Sequence, residues 1–204
     1  MAEAPAIFAI VSPTTHGAPV HHSSLVSVRA LSKTFDVGLR GCTARVRALD
    51  DLHFEVSRGE VVGIVGDAGA GKTTLLRCLA RLLVQDKGVI ELATTERHSI
   101  PAVMYLQDPV ELAKLLDSDE PWDIAVVDNA DAVLGDVGGA FALLAAARQI
   151  RAVGGALVLA ARDQRAIAPL ADRVITLERG RLAAGPFAAY PSVPRVAEER
   201  RPSR

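Results

Sequence analysis

The stretch VVGIVGDAGAGKTTLLRCLA, residues Val61 to Ala80, decides the fold of this 204-residue chain. Its first five residues are a continuous apolar run, as expected of a strand buried on both faces of a parallel sheet. GDAGAGKT, Gly66 to Thr73, then brings three glycines close together and ends on a lysine and a threonine. Leu75, Leu76, Leu79, Leu82 and Leu83 recur at helical spacing, so a helix is predicted from Lys72 to Leu83 with its leucine face on the sheet. Strand, glycine loop and helix N-terminus in that order make an anion cradle. Glycines let successive backbone N–H groups converge, and the helix N-terminus adds partial positive charge.

The loop fits G-x-x-x-x-G-K-[ST] in full, between the strand and helix that the pattern requires. Gly66, Asp67, Ala68, Gly69, Ala70, Gly71, Lys72, Thr73 and Thr74 are therefore assigned to nucleotide binding. Lys72 is placed to reach the β- and γ-phosphates, the Thr73 hydroxyl to hold Mg2+, and Thr74 to bond the α-phosphate. A second acidic element follows in WDIAVVDNA, where four apolar residues end on Asp128. That puts a carboxylate at the C-terminal edge of a buried strand, where it can steer Mg2+.

Length and composition bound the rest. The chain suits one α/β domain and is too short for two. Half of its residues are hydrophobic and only 4% aromatic, so the core is built from Ala, Val, Leu and Ile. A net charge of -1 leaves no basic footprint for nucleic acid. Cys42 and Cys78 are too few for a disulfide framework and point to a reducing cytosol. The longest apolar candidate, Phe141 to Ala161, is interrupted by Arg148, Gln149 and Arg151, so no membrane span is predicted. IFAIV, Ile7 to Val11, has no basic residues before it and does not read as a secretory signal. Membrane association, if any, would come through a partner.

Residues 1 to 24 read as a flexible leader and 191 to 204 as a polar, Pro-bounded tail, leaving a nucleotide-binding domain at 25 to 190. His21 and His22 lack a third metal ligand nearby and belong to a solvated leader. Leu25 to Phe35 and Val46 to Val56 alternate as half-buried strands, joined by a hairpin loop at DVGLRGCTAR. Further strands are expected at 88–92, 102–106, 124–127, 156–160 and 174–177, with a helix at 141–152 and a last hairpin turning at Arg179-Gly180. Cys78 is a small core residue. The fold class is α/β: a phosphate-loop NTPase core with a mostly parallel sheet, flanking helices and an antiparallel β subdomain in its N-terminal part.

From about Val26 to Gly185 the chain resembles the nucleotide-binding domain of ATP-binding cassette (ABC) proteins. VRALSKTF, ALDDLHFEVSRGEVVGIVGDAGAGKTTLLRCLARLL and KGVIEL look like the opening strands, the Walker A loop and the hairpin of that family. VMYLQDP looks like its Q-loop, WDIAVVDNA like its Walker B strand, and GGALVLAARDQRAIAPLADRVITLERGRLAAG like its last strand, switch loop and terminal hairpin. The resemblance implies ATP and Mg2+ as ligands, with Phe35 stacking on adenine and Gln107 contacting Mg2+ and the attacking water. A membrane permease is the implied partner, and a position on the inner face of the membrane through it.

Three departures set this chain apart. The residue after the Walker B aspartate, usually a glutamate that polarises water, is Asn129. An amide can bond that water but cannot accept its proton, so general-base help of about 10²–10⁴-fold is lost. The switch histidine position carries Arg162, which would supply charge in a different geometry. Gln107 and Asp128 are only 21 positions apart, room for one short helix and a loop, and no LSGGQ-like signature occurs. DVGGA, Asp136 to Ala140, reads as a loop before a helix.

A homodimeric ATP sandwich of such chains would lack the donors each site borrows from its neighbour. Asp131 or Asp163 would have to stand in for the missing glutamate. Two functions fit: the ATP-binding component of a transporter with weak hydrolysis, or a non-hydrolysing module that senses nucleotide and regulates a partner. A small-molecule kinase would need a lid and an acceptor-binding acid, and neither is recognisable.

Overall fold

The computed structural model describes residues 8–10, 24–39, 42–95, 99–108, 111 and 122–183. Apart from 8–10 and 24, the expected leader, with His21 and His22, lies outside the described residues. So do the tail at 191–204 and most of the interval between Gln107 and Asp128.

In chain order the elements are β1 (Phe8–Ile10), β2 (Ser24–Leu39), β3 (Cys42–Ser57), β4 (Val61–Val65), α1 (Lys72–Leu79), β5 (Lys87–Leu92), β6 (Ala102–Leu106) and β7 (Ile124–Val127). They continue as α2 (Ala130–Leu134), α3 (Val137–Val153), β8 (Ala156–Ala161), α4 (Gln164–Ile167), β9 (Arg173–Glu178) and β10 (Arg181–Leu182). One sheet has seven strands in the order β1-β6-β7-β8-β4-β9-β10. Its five inner strands are parallel, and β1 and β10 pair antiparallel at the two edges. The second sheet, β3-β2-β5, is antiparallel. This is the α/β architecture and antiparallel N-terminal sheet expected from the sequence.

Two apolar cores lie on opposite faces of the parallel sheet, and strand alternation assigns residues between them. Val62, Ile64, Val103, Tyr105, Ile124, Val126, Val158, Ala160 and Ile175 join Leu75, Leu76 and Leu79 of α1 and the inner face of the antiparallel sheet. Val61, Val65, Met104, Leu106, Ala125, Val127, Leu157 and Leu159 join α2, α3 and α4. The three α1 leucines are essentially solvent-free, each contributing about 1.5–3 kcal/mol relative to an exposed side chain.

The boundaries move in instructive ways. β2 and β3 extend through most of the stretch read as a hairpin loop, with Phe35 opposite Val46 and Leu39 opposite Cys42. Cross-strand pairing continues where local turn residues argued a loop. The first helix stops at Leu79 rather than Leu83, because Arg81 takes a left-handed φ of 59° and donates to Ile90 O of β5 at 2.5 Å. Leu82 and Leu83 still pack on the same core. The DVGGA segment is no loop: Asp136 is the N-cap of α3, its carboxylate accepting from Gly139 N at 2.8 Å, and the next four residues form the first turn. Part of the expected leader joins the main sheet, where Phe8 to Ile10 pair with Met104 to Ala102. Cys78 is buried as expected.

Candidate functional site

The C-terminal ends of β4, β6, β7 and β8 open on one cavity of about 680 Å³. Ligands of open α/β sheets sit at this edge, where loops leave the strands. Ala68, Gly69, Gly71, Lys72, Thr73 and Thr74 line it from the glycine loop, Gln107 from the end of β6, Asp128 and Asn129 from the end of β7, and Arg162 from the end of β8. Strand parity explains the convergence. Residues 103 and 105, 124 and 126, and 158 and 160 all face α1, and Gln107, Asp128 and Arg162 continue those alternations.

The loop is shaped by close backbone approach. A Cβ on Gly71, at φ 107°, would collide with Ala48 O, and one on Gly66 with Leu177 O. Only glycine allows both contacts. Ala70 is buried behind the cradle, its N–H on Asp67 O at 3.1 Å and its carbonyl accepting Gly180 N at 2.9 Å. Gly66, Asp67 and Ala70 therefore shape the loop from behind and are not on the cavity wall. Lys72 Nζ donates to Gly66 O at 2.5 Å and Asp67 O at 3.0 Å. Burial pulls Lys72 below the usual lysine range and the Arg162 guanidinium adds to it, against Asp128, Asp131 and Asp67. Two cations thus share the cavity, an arrangement that a polyanion relieves.

Asp128 is 6% exposed. Its Oδ2 accepts from the Tyr105 hydroxyl at 3.0 Å and its Oδ1 from Asn129 N at 3.0 Å. Gln107 Nε2 donates to the Tyr105 oxygen at 3.1 Å. Burial pushes the Tyr105 phenol above its ordinary range, opposed by Arg77 and reinforced by Asp128. Asn129 starts α2 in the left-handed region, φ 57° and ψ 45°, a conformation its short amide tolerates.

The two carboxylates considered as stand-ins are engaged elsewhere. Asp131 Oδ2 accepts Arg162 N at 2.6 Å and its Oδ1 lies 3.5 Å from Asp163 N. Asp163 caps α4 through Arg165 N at 2.8 Å. Phe35 is 37% exposed and is not on the wall, with Lys33 Nζ 5.6 Å from its ring. Its cross-strand neighbour Val46 does line the cavity, together with Arg47 and Ala48, and opposite residues of an antiparallel pair share a face.

Sequence reasoning missed Tyr105, Arg179 and the Val46 to Ala48 wall, whereas Asp131, considered there as a stand-in carboxylate, does line the cavity. Tyr105 had a signal, two residues before Gln107 on the same strand face. Arg179 reaches the wall because its turn docks on the loop, through Gly180 N to Ala70 O and Asp50 N to Gly180 O at 2.8 Å. Asp50 is held in turn between Arg181 and Arg47, and the Arg181 hydrogen bond first of all lowers its carboxyl below the usual range. No local pattern announces those contacts.

The residues fit a nucleotide with a divalent ion. The helix N-terminus, Lys72 and Arg162 suit phosphates, while the Thr73 hydroxyl and the Asp128 carboxylate are hard oxygen donors. Mg2+ commonly takes one or two such protein oxygens and completes its shell with phosphates and water.

Fold and cavity together define a phosphate-loop α/β protein of the nucleotide-binding class. The chain belongs to the ABC transporter family, whose family model matches residues 49–183. It is similar to an oligopeptide transport ATP-binding protein of Streptococcus mutans, 39% identical over 71 residues, 35% of this chain and 22% of that protein. A ribose import ATP-binding protein of Burkholderia ambifaria is 45% identical over 53 residues, 26% of this chain and 10% of that protein. The chain thus spans a minor part of the curated relatives it matches. Among solved structures, an ATP-binding cassette dimer in a post-hydrolysis state with ADP and phosphate superposes with a TM-score of 0.59 at 15% identity, covering 77% of this chain and 96% of that one. A component of an ABC transporter complex from Clostridium perfringens gives 0.57 at 16% identity, covering 79% and 88%. These structural likenesses speak to the fold.

Proposed function

We propose that this chain binds Mg-ATP in the cavity at the ends of β4, β6, β7 and β8 and serves as the ATP-binding component of a transporter, with slow hydrolysis. The observation that carries the reading is the meeting of Lys72, Thr73, Gln107, Asp128 and Arg162 on one cavity wall. Lys72 gives up the Gly66 and Asp67 carbonyls to meet the β- and γ-phosphates. Thr73 and Asp128 would hold the ion, which would neutralise phosphate charge when bound. Arg162, beside Lys72, adds positive charge near the terminal phosphate. Phe35, opposite Val46 of the cavity wall on the neighbouring strand, would cover the base.

Slow turnover follows from the general-base position. Asn129 orients water without taking its proton, and Asp131 and Asp163 are committed to main-chain N–H groups. Those commitments also support a second reading, a module that holds nucleotide without hydrolysing it and regulates a partner. Among the described residues no helix is long and apolar enough to cross a membrane. A permease partner would place the chain at the inner membrane face. In a homodimeric ATP sandwich each site would lack the LSGGQ-type donors that it borrows from its neighbour, which argues against that assembly.

The test is phosphate release from Mg-ATP by the purified chain, alone and with a co-encoded membrane protein, with Lys72→Ala as control. Turnover that the membrane protein stimulates and Lys72→Ala abolishes supports the transporter reading. Tight nucleotide binding with no turnover in either setting supports the regulatory one. No effect of saturating Mg-ATP on the melting temperature overturns both.

A further inference from the structure

We propose that Tyr105 is a positioning residue: its buried hydroxyl fixes the Asp128 carboxylate for a divalent ion and couples it to Gln107. The proposal rests on the nucleotide-binding reading above and adds to it the group that sets the geometry of the ion's protein ligand.

The hydroxyl uses both of its roles toward the cavity. It donates to Asp128 Oδ2 at 3.0 Å and accepts from Gln107 Nε2 at 3.1 Å. Tyr105 itself is 8% exposed and stands on the β6 face that packs against α1, among Val103, Val126 and Leu76. In such surroundings a phenylalanine would fill the space without a polar atom to satisfy. The phenol is there at a desolvation cost; Arg77 also bonds it from α1, and its Asp128 and Gln107 partners lie on the cavity wall.

The consequence falls on Asp128. With Tyr105 on Oδ2 and Asn129 N on Oδ1, each oxygen has one donor, so the carboxylate plane is fixed from two sides. Each oxygen keeps lone-pair capacity for a hydrated ion. Partners of this kind orient metal ligands, and removing them typically weakens metal binding by about 10–100-fold. The parallel register makes the contact: Tyr105 is opposite Val126 and Leu106 opposite Val127, which brings Asp128 level with the end of β6. A Gln107 drawn toward an ion or water must release or retain the Tyr105 oxygen, and the same hydroxyl reports that choice to Asp128.

The test is the magnesium dependence of nucleotide affinity. Calorimetric titration of the full chain with ATP, once with Mg2+ and once with EDTA, is compared for wild type, Tyr105→Phe, Gln107→Leu and the double variant. Tyr105→Phe is expected to lower the affinity in Mg2+ about tenfold and to leave the affinity in EDTA within about twofold of wild type. Because one hydroxyl serves both neighbours, the double variant is expected to be no worse than the worse single one.

An equal loss in Mg2+ and EDTA marks a merely structural tyrosine and overturns the proposal, as does an unchanged magnesium effect or strict additivity. If wild type fails to bind ATP, the nucleotide reading falls first, an outcome distinct from a wild type that binds and a Tyr105→Phe that matches it. Should Tyr105→Phe not fold, fluorotyrosine labelling of the otherwise native chain serves instead. The Tyr105 fluorine resonance, assigned with Tyr190→Phe, is expected to shift between ATP with EDTA and ATP with Mg2+. An unmoved resonance overturns the proposal.

Discussion

The main-chain N–H of Arg162 donates to Asp131 Oδ2 at 2.6 Å, tying helix α2 to the loop that leaves β8. One carboxylate thereby holds in place the residue whose side chain stands beside Lys72 in the cavity. Losing an acceptor for such an N–H typically costs about 1–3 kcal/mol. Asp131→Ala is expected to lower the melting temperature by several degrees, at about 2–4 °C per kcal/mol for a chain of this size. Amide exchange at Arg162 and Asp163 should speed up selectively, and Asp131→Asn, which keeps an acceptor, should lose less. Unchanged exchange at those two amides would show that the contact does not hold the loop.

Lys72 is already partly desolvated and held by two carbonyls of its own loop. Its removal is expected to leave the ligand-free fold close to wild type while abolishing the response to nucleotide. At a hundred times Kd, bound ligand stabilises by about 2.7 kcal/mol, or roughly 5–10 °C here. Differential scanning fluorimetry with Mg-ATP should show that shift in wild type and none in Lys72→Ala. A shift that survives the substitution would move the ligand elsewhere.

Asn129 is the N-cap residue of α2, with a φ of 57°. Replacing it by glutamate strains the backbone by about 1–2 kcal/mol but supplies a proton acceptor. If the amide is what limits chemistry, Asn129→Glu raises phosphate release by about a hundredfold or more. Initial rates with Mg-ATP measure it. No gain would place the limit in the missing signature donors instead.

Burial pushes the Cys78 thiol from about 9 up to about 11. The folded value lies above the unfolded one, so its contribution to stability is complete below pH 9 and is lost as pH rises through 11. Between these limits the unfolded chain ionises and the folded chain does not. Urea midpoints should fall across that window in wild type, and the decline should be shallower in Cys78→Ala, which itself starts less stable. At pH 8 the native thiol should resist alkylating reagents until the chain unfolds.

The phosphate loop was legible because its causes are local. Glycines at 66, 69 and 71, the apolar run before them and the leucine period after them lie within Val61 to Leu83. Asp128 was legible as the polar end of an apolar run. The helix end at Leu79 was not, since it is set by Arg81 reaching Ile90 O on a strand that comes later in the chain. The first turn of α3 was also misread, because glycines at 138 and 139 argued a loop while the Asp136 cap made them helix.

The residues alone determined a glycine loop between a buried strand and a helix, for that loop is written in consecutive residues and needs no distant partner to specify it. They determined equally that position 129 offers an amide. Tertiary structure decided which donors the carboxylates meet: the Tyr105 hydroxyl and the Asn129 main-chain N–H donate to Asp128, while the Arg162 and Asp163 main-chain N–H groups face Asp131. It also decided that Val46 to Ala48 and Arg179 form part of the wall. Those outcomes depend on the register between strands and on a turn docking against a loop over a hundred residues before it, and contacts between residues so far apart in the chain leave no periodic trace in either segment.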